Sequence, residues 1–302
     1  MKKQKIVPSL WFDKNSEEAM NFYTSVFRNS RILSIKRYPE GPLEDPIKGM
    51  EGKVLTGIFE LEGQKFMALD GGPIFKFNPS ISFTVKCKTI EEVDELYKKL
   101  SEGGNILMAL DKYPWSDRYA WISDKYGLSW QLMRTREEFT QKITSLLMFT
   151  GEKFGKAEEA INYYASIFPN SKINLIARYQ EGEGDEPGKI AHSSFLLEGE
   201  EFMAMESSHE HKFGFNEAIS LMISCETQEE IDYFWEKLTA GGDPKAQQCG
   251  WLKDKYGVSW QIIPKILGDL MQDPDKEKSG RVFKAMLKMK KIDIENLKKA
   301  AL

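Results

Sequence analysis

The chain carries one ordered set of sequence blocks twice, so its fold has to be built from two copies of a single unit. Glu17-Glu18-Ala19-Met20-Asn21-Phe22-Tyr23 is answered by Glu158-Glu159-Ala160-Ile161-Asn162-Tyr163-Tyr164. Leu61-Glu62-Gly63 with Phe66-Met67-Ala68 recurs as Leu197-Glu198-Gly199 with Phe202-Met203-Ala204. Cys87-Lys88-Thr89 with Glu91-Glu92 recurs as Cys225-Glu226-Thr227 with Glu229-Glu230. Trp121, Asp124-Lys125-Tyr126-Gly127 and Ser129-Trp130-Gln131 recur as Trp251, Asp254-Lys255-Tyr256-Gly257 and Ser259-Trp260-Gln261. The offset between copies runs 141, 136, 138 and 130 residues, so insertions and deletions fall between the blocks, where loops accept them.

Within copy one, Val7 to Phe12 is an apolar run expected to form a buried strand. Ser16 is placed to cap a helix running to Phe27, with Ala19, Met20, Tyr23 and Phe27 at helical spacing. Ile32 to Arg37 reads as a strand, followed by a Gly/Pro/Asp-rich loop from Pro39 to Gly52. Val54 to Leu61 and Gln64 to Leu69 form a hairpin around Glu62-Gly63. The pattern then repeats. Ile81 to Cys87 alternates as a strand, and Thr89 with Glu92 makes a capping box for a helix to about Ser101, ended by Gly103-Gly104. A weaker strand signal lies between Gly104 and Lys112, before a closing hairpin of Arg118 to Ser123 and Leu128 to Met133. Each copy is thus β-α-β-β-β twice over, an α+β design.

These residues resemble a known family. Glu17-Glu18-Ala19-Met20-x-Phe22-Tyr23, Phe66-Met67-Ala68-Leu69 and Asp124-Lys125-Tyr126-Gly127-x-Ser129-Trp130-Gln131 are similar to the PhnB-like branch of the vicinal oxygen chelate superfamily. That superfamily includes glyoxalase and bleomycin-resistance-type proteins, and the branch often carries the label demethylubiquinone methyltransferase. The resemblance spans about Ile6 to Pro264, and the segment from Arg281 to Ile294 resembles tails of the same branch. It implies tandem glyoxalase-like domains, copy one at 1–138 and copy two at 139–265, with a helical tail at 266–302. Paired modules would form a curved open sheet wrapping a cup, in which the superfamily's metalloenzymes hold a divalent cation with His and Glu from the modules' first and last strands.

The residues at those positions differ. Gln131 and Gln261 stand where the resemblance implies a final-strand Glu, and Ser82 and Ser220 where it implies a His. Gln brings no negative charge to a cation, and copy one contains no histidine. Asp70 and Glu206 fall just past the expected point of the fourth strand. His192 aligns with Thr56 on a strand, and His209 and His211 form a loop H-x-H that a transition metal or plain solvent could occupy. The metal site is expected to be lost or remodelled, so no metal is assigned. Gly182-x-Gly184 falls between two strands with no helix after it, so no cofactor fingerprint supports the methyltransferase label, and no cofactor is assigned. Neither a Gly-x-Ser-x-Gly nor a cysteine with a histidine partner occurs. Cys87 and Cys225 share a strand end and read as structural, and Cys249 replaces the Arg118-Tyr119 region of copy one.

What remains are apolar, aromatic cups. Trp121, Trp251, Gln131 and Gln261 face them by strand alternation, packing being the competing role for the tryptophans. The loop from Tyr113 to Tyr119 exists only in copy one and sets a cation, an anion and aromatics beside its cup. The expected ligand-binding set is Trp121, Gln131, Ser82 and Arg118 in copy one and Trp251, Gln261 and Ser220 in copy two.

A net charge of −4 and three cysteines without a C-x-x-C pair point away from nucleic acid and disulfide scaffolds and toward a reducing, cytoplasmic setting. The apolar run after Lys2, Lys3 and Lys5 is too short for a signal-peptide core, and no run approaches a membrane span. The tail's Val282, Phe283, Met286, Leu287 and Met289 form a stripe on a Lys-rich helix, expected to dock across the two copies or on a second chain, which leaves a homodimer open. The leading expectation is a binding protein for a small apolar or aromatic molecule. The alternatives are a divalent-metal-dependent lyase or dioxygenase using Gln131, Asp70 or Glu206, and a structural or regulatory partner.

Overall fold

A computed structural model describes residues 4–41, 43 and 47–302. Lys2 and Lys3, and part of the loop from Pro39 to Gly52, lie outside the described residues. Four β-α-β-β-β modules follow one another. The first is β1 (Ile6–Phe12), α1 (Ser16–Val26), β2 (Arg31–Arg37), β3 (Val54–Leu61) and β4 (Gln64–Asp70). The second is β5 (Ile81–Cys87), α2 (Ile90–Leu100), β6 (Asn105–Tyr113), β7 (Ser116–Ser123) and β8 (Ser129–Arg134). The third is β9 (Ile143–Phe149), α3 (Ala157–Ile167), β10 (Lys172–Arg178), β11 (Ile190–Leu197) and β12 (Glu200–Glu206). The fourth is β13 (Ile219–Cys225), α4 (Gln228–Thr239), β14 (Asp243–Gln248), β15 (Trp251–Lys253) and β16 (Ser259–Pro264). The tail forms α5 (Lys265–Met271), α6 (Lys276–Leu287) and α7 (Ile294–Ala300).

The strands make two curved eight-stranded sheets, ordered β14-β15-β16-β13-β1-β4-β3-β2 and β10-β11-β12-β9-β5-β8-β7-β6. Each sheet is a pair of modules, and the pair draws one module from each sequence copy. In space the chain divides into residues 10–218 and residues 1–9 with 219–302, and the second sheet lies wholly in the first of these units.

Local chemistry explains the elements. The β3–β4 turn has Glu62 at φ 50° and Gly63 at 84°, the positive pair that a two-residue hairpin loop needs. Thr89 caps α2 by accepting the Glu92 N–H at 3.2 Å, while the Glu92 carboxylate accepts the Lys88 N–H. Helix α1 departs from expectation: Ser16 begins the helix rather than capping it. Its N–H donates to Asp70 Oδ1 at 2.9 Å, and Asp70 Oδ2 accepts the Val54 N–H at 3.0 Å. One carboxylate from β4 therefore satisfies both a helix start and a strand start, a tertiary cap invisible to local pattern. Glu206 does the same for Ala157 and Ile190.

The core of the 10–218 unit is aromatic. Tyr23, Phe59, Phe66, Phe83 and Trp130 are buried and meet ring to ring, Phe83 and Trp130 with centroids 5.5 Å apart. Burial of each such side chain contributes roughly 2–3 kcal/mol. In the other unit the tail folds back onto the fourth module. Met289 and Lys290 carbonyls accept the N–H groups of Cys249 and Gly250, Gln228 bonds both Ile292 O and Ile294 N, and Val282, Ile292 and Leu297 are fully buried. The segment from Met289 to Ile294 thus binds the chain's own last module, while the helix that carries the apolar stripe packs against α5 and α7.

Candidate functional site

The longest family-like motif builds a turn. Asp124 Oδ1 accepts the N–H groups of Tyr126 and Leu128 at 2.8 and 3.0 Å, and Oδ2 accepts Trp130 Nε1 and the Tyr23 hydroxyl, both at 2.8 Å. Burial pushes the Asp124 carboxyl pKa up, and these four donors oppose that shift. Gly127, at φ 87°, takes the left-handed position. Asp254 repeats the arrangement with Tyr256, Val258 and Trp260. With Trp130 turned to the aromatic core, alternation along β8 sends Ser129 and Gln131 to the opposite, concave face.

Strand register assembles that face within the 10–218 unit. Gln131 stands opposite Trp121 on β7 and Thr84 on β5, and Thr84 stands opposite Thr144 on β9. Ser82 lies opposite Leu146, which is opposite Met203 on β12, with Met148 opposite Met205. A hydrogen-bond chain runs through the centre: Tyr119 OH donates to Gln131 Oε1 at 2.9 Å, and Gln131 Nε2 donates to Ser82 Oγ at 2.9 Å. Burial pushes the Tyr119 phenol pKa up, so it keeps its proton and serves as a donor. Trp121 Nε1 donates to Ser129 Oγ at 2.8 Å. Beside the chain, Thr84 and Thr144 are 2% and 0% exposed, and neither hydroxyl has a hydrogen-bond partner among the described residues. Leu146, Met148 and Met203 form a buried apolar cluster against which Trp121, Met205 and Phe213 pack. Unbranched methionines can change shape around an incoming molecule.

Tyr119 also reaches outward. Tyr113 and Trp115 stack at 5.2 Å, and both meet the Tyr119 ring edge-on. They border an open recess of about 600 Å³ that also involves Lys112, Asp117, Arg134 and Arg136. Trp115 is 55% exposed.

The 219–302 unit has the same central pair. Gln261 Nε2 donates to Ser220 Oγ at 2.9 Å, and Trp251 stands opposite Gln261. Counting back from Trp251, Cys249 takes the place of Tyr119, and with a φ of 53° it lies in the turn between β14 and β15. The structure therefore brings Ser82, Gln131 and Trp121 onto one face and Ser220, Gln261 and Trp251 onto another. Arg118 lies apart, its Nε bound to Asp94 of α2 at 2.6 Å on the helix side of β7. Tyr119, Thr84, Thr144 and the methionines join this face from outside the expected binding set. Tyr119 was within reach of the alternation rule, standing two residues before Trp121 on the same face.

The remaining singled-out residues have ordinary partners. His209 Nε2 meets Gly184 O and His211 Nε2 meets Ser207 Oγ, both at 2.9 Å. His192 stands opposite Ala177 on β10, and burial, with Lys86 nearby, lowers its pKa. Burial pushes the Cys87 and Cys225 thiols up to about 12, which keeps them protonated.

Against this geometry, a family model for 3-demethylubiquinone-9 3-methyltransferase matches residues 4–133 and again 141–263. The chain belongs to this PhnB-like family. A PhnB protein from Bacillus cereus is 47% identical over 44% of this chain and 100% of its own, with a TM-score of 0.40. Glyoxalase I from Zea mays is 10% identical, covers 89% of this chain and 98% of its own, and has a TM-score of 0.55, a likeness of fold. No curated protein sequence matches the chain.

Membership of the PhnB-like family within the glyoxalase fold raises a divalent metal and a methyl-donor cofactor, and the residues fit neither. At the metal position stand two neutral side chains, Ser and Gln, bonded to each other in both units. The nearby carboxylates Asp70 and Glu206 are spent on backbone N–H groups. For the cofactor, Gly182 and Gly184 lie in an exposed loop between β10 and β11. The strand-to-helix turn that does carry glycines, Gly151 to Gly155, opens on an Ala157 N–H already taken by Glu206.

Proposed function

We propose that this PhnB-like chain, fused copies spanning 1–138 and 139–265, binds a small, largely apolar or aromatic molecule. The site is the concave face around Tyr119, Trp121, Gln131 and Ser82. The observation that supports the reading is the pair of hydroxyls, Thr84 and Thr144, without partners among the described residues and buried between the Tyr119–Gln131–Ser82 chain and a methionine wall. A buried hydroxyl without a partner costs about 1–3 kcal/mol, and a ligand carbonyl or hydroxyl seated there would remove that cost. Met148, Met203, Met205 and Trp121 offer the apolar surface for its body. The exposed Trp115 ring, stacked on the half-buried Tyr113, supplies a landing surface that leads to Tyr119. Ser220, Gln261 and Trp251 give the other unit a reduced version of the same arrangement.

Thermal shift against a panel of aromatic and antibiotic compounds tests this. A stabilising compound should quench Trp121 fluorescence, with W121F as control, and should lose its effect in T84V and T144V. A panel without a hit, or a hit indifferent to both threonine substitutions, would remove the reading. Added Mn²⁺, Fe²⁺, Ni²⁺ or Zn²⁺ should leave the melting temperature unchanged, and stoichiometric metal in untagged protein would overturn the neutral-donor account.

A further inference from the structure

The first module encloses an amine that has no hydrogen-bond partner among the described residues. Lys36 on β2 stands opposite Thr56 on β3, Ser34 opposite Ile58, and Ile58 opposite Met67 on β4. Phe59, the neighbour of Ile58, stacks on Tyr23 of α1, so Phe59 marks the helix-covered face. Lys36, Thr56, Ile58 and Met67 consequently share the opposite, concave face. The Lys36 Nζ atom is buried there and makes no hydrogen bond among the described residues.

Four described carboxylates of the same module are committed elsewhere. Asp70 holds the N–H groups of Ser16 and Val54, Glu17 pairs with Arg37, and Glu60 pairs with Arg31. Glu51 accepts the N–H groups of Leu43 and Gly49. Burial accordingly lowers the Lys36 pKa to about 8. The scaffold does not require this amine: β10 has Ala177 in its place, opposite His192. A buried cation is costly unless something pairs with it, and unpaired charges of this kind gather where ligands act.

We infer that Lys36 is the anion-binding group of a second small-molecule site, on the concave face of the first module, whose ligand carries a carboxylate on an apolar body. Ile58, Met67 and Leu69 would take the apolar part, and the carboxylate would accept a charge-assisted hydrogen bond from Nζ. This site uses none of the residues around Gln131, so either reading can fail without the other.

The test uses the full chain with lysine side chains isotopically labelled for NMR, wild type and K36M, with benzoate and octanoate as anionic probes and benzamide as the neutral control. One of the two anions should raise the Lys36 midpoint by about one pKa unit, which corresponds to about tenfold tighter binding to the charged amine. It should raise the melting temperature of wild type but not of K36M, and benzamide should do neither. K36M replaces a buried cation with an apolar chain of similar length, so it should melt no lower than wild type. The proposal is overturned if neither anion moves the Lys36 midpoint, or if K36M responds to an anion as wild type does.

Discussion

The β6–β7 hairpin of copy one and the β14–β15 hairpin of copy two share a base and differ everywhere above it. In copy one, β6 and β7 are nine and eight residues long, and Tyr119 donates into Gln131 from beneath a stacked Tyr113–Trp115 tip. In copy two, β14 and β15 are six and three residues long. Cys249 replaces the tyrosine, and its N–H and that of Gly250 bind tail carbonyls instead of another strand. Beneath both lies the same Gln–Ser hydrogen bond at 2.9 Å. A pair that survives both settings belongs to the fold, and the phenol and aromatic tip belong to whatever copy one does alone. Function in this chain should be sought where the copies part.

The lysines that precede β9 and β1 are held differently. Lys142, its side chain 15% exposed, lies between Glu62 at 3.0 Å and Glu92 at 2.5 Å, themselves 9% and 22% exposed. Lys5 pairs with Glu230, which is 37% exposed. Removing Lys142 strands two shielded carboxylates, so K142M should cost about 3–5 kcal/mol in urea unfolding. K5M should cost about 1 kcal/mol or less. Equal losses would mean that the copies are held alike and that the asymmetry of burial has no energetic weight.

Deleting residues 288–302 removes the carbonyls that Cys249 and Gly250 use and uncovers Val282. The melting temperature should fall by several degrees, of the order expected for losing about 2 kcal/mol. Cys249 should become open to alkylation, while Cys87 and Cys225, both buried, stay inert. Unchanged Cys249 labelling would show that copy two closes its hairpin without the tail.

Lys36 has its pKa lowered when folded, so between about 8 and its unfolded value near 10.4 the unfolded chain binds more protons. Stability of wild type relative to K36M should therefore rise as pH increases from 8 to about 10. Ala177 gives the other copy no such slope. A flat difference between the two proteins would indicate that the amine is solvated.

Much of the fold was legible because its signals are local and repeated. Strand alternation, the Thr89–Glu92 box and the Glu62-Gly63 turn each act within a few residues, and seeing every block twice removed most ambiguity. What escaped was long-range. Ser16 reads as a cap by its type, yet the group that satisfies the helix start is Asp70, 54 residues away. Arg118 sits beside Tyr119 in sequence, and alternation turns it to Asp94 on α2 rather than to the concave face. The pairing of modules from different copies within one sheet also leaves no trace in a periodicity. At the candidate site, Ser82 and Gln131 could be located by position, but their bond to each other depends on β5 lying beside β8.

The smallest expected effect bears most directly on the hairpin comparison. Tyr119→Phe removes one hydroxyl that donates to Gln131 and leaves the ring packed against Tyr113 and Trp115. The loss should be about 1 kcal/mol, since Gln131 is 6% exposed and little water can replace the donor. Gln131→Leu should cost more, about 2–3 kcal/mol, by leaving two buried hydroxyls, those of Ser82 and Tyr119, without their partner. If the Tyr119–Gln131 bond is a distinct link, the double variant should fall short of the sum by about 0.5–1 kcal/mol in a double-mutant cycle. The corresponding cycle in copy two, Cys249→Ala with Gln261→Leu, should be additive, because a thiol replaces the phenol and its residue's N–H is held by the tail. Coupling of similar size in both cycles would place the hydrogen-bond chain in the shared scaffold and would move the search for function away from Tyr119.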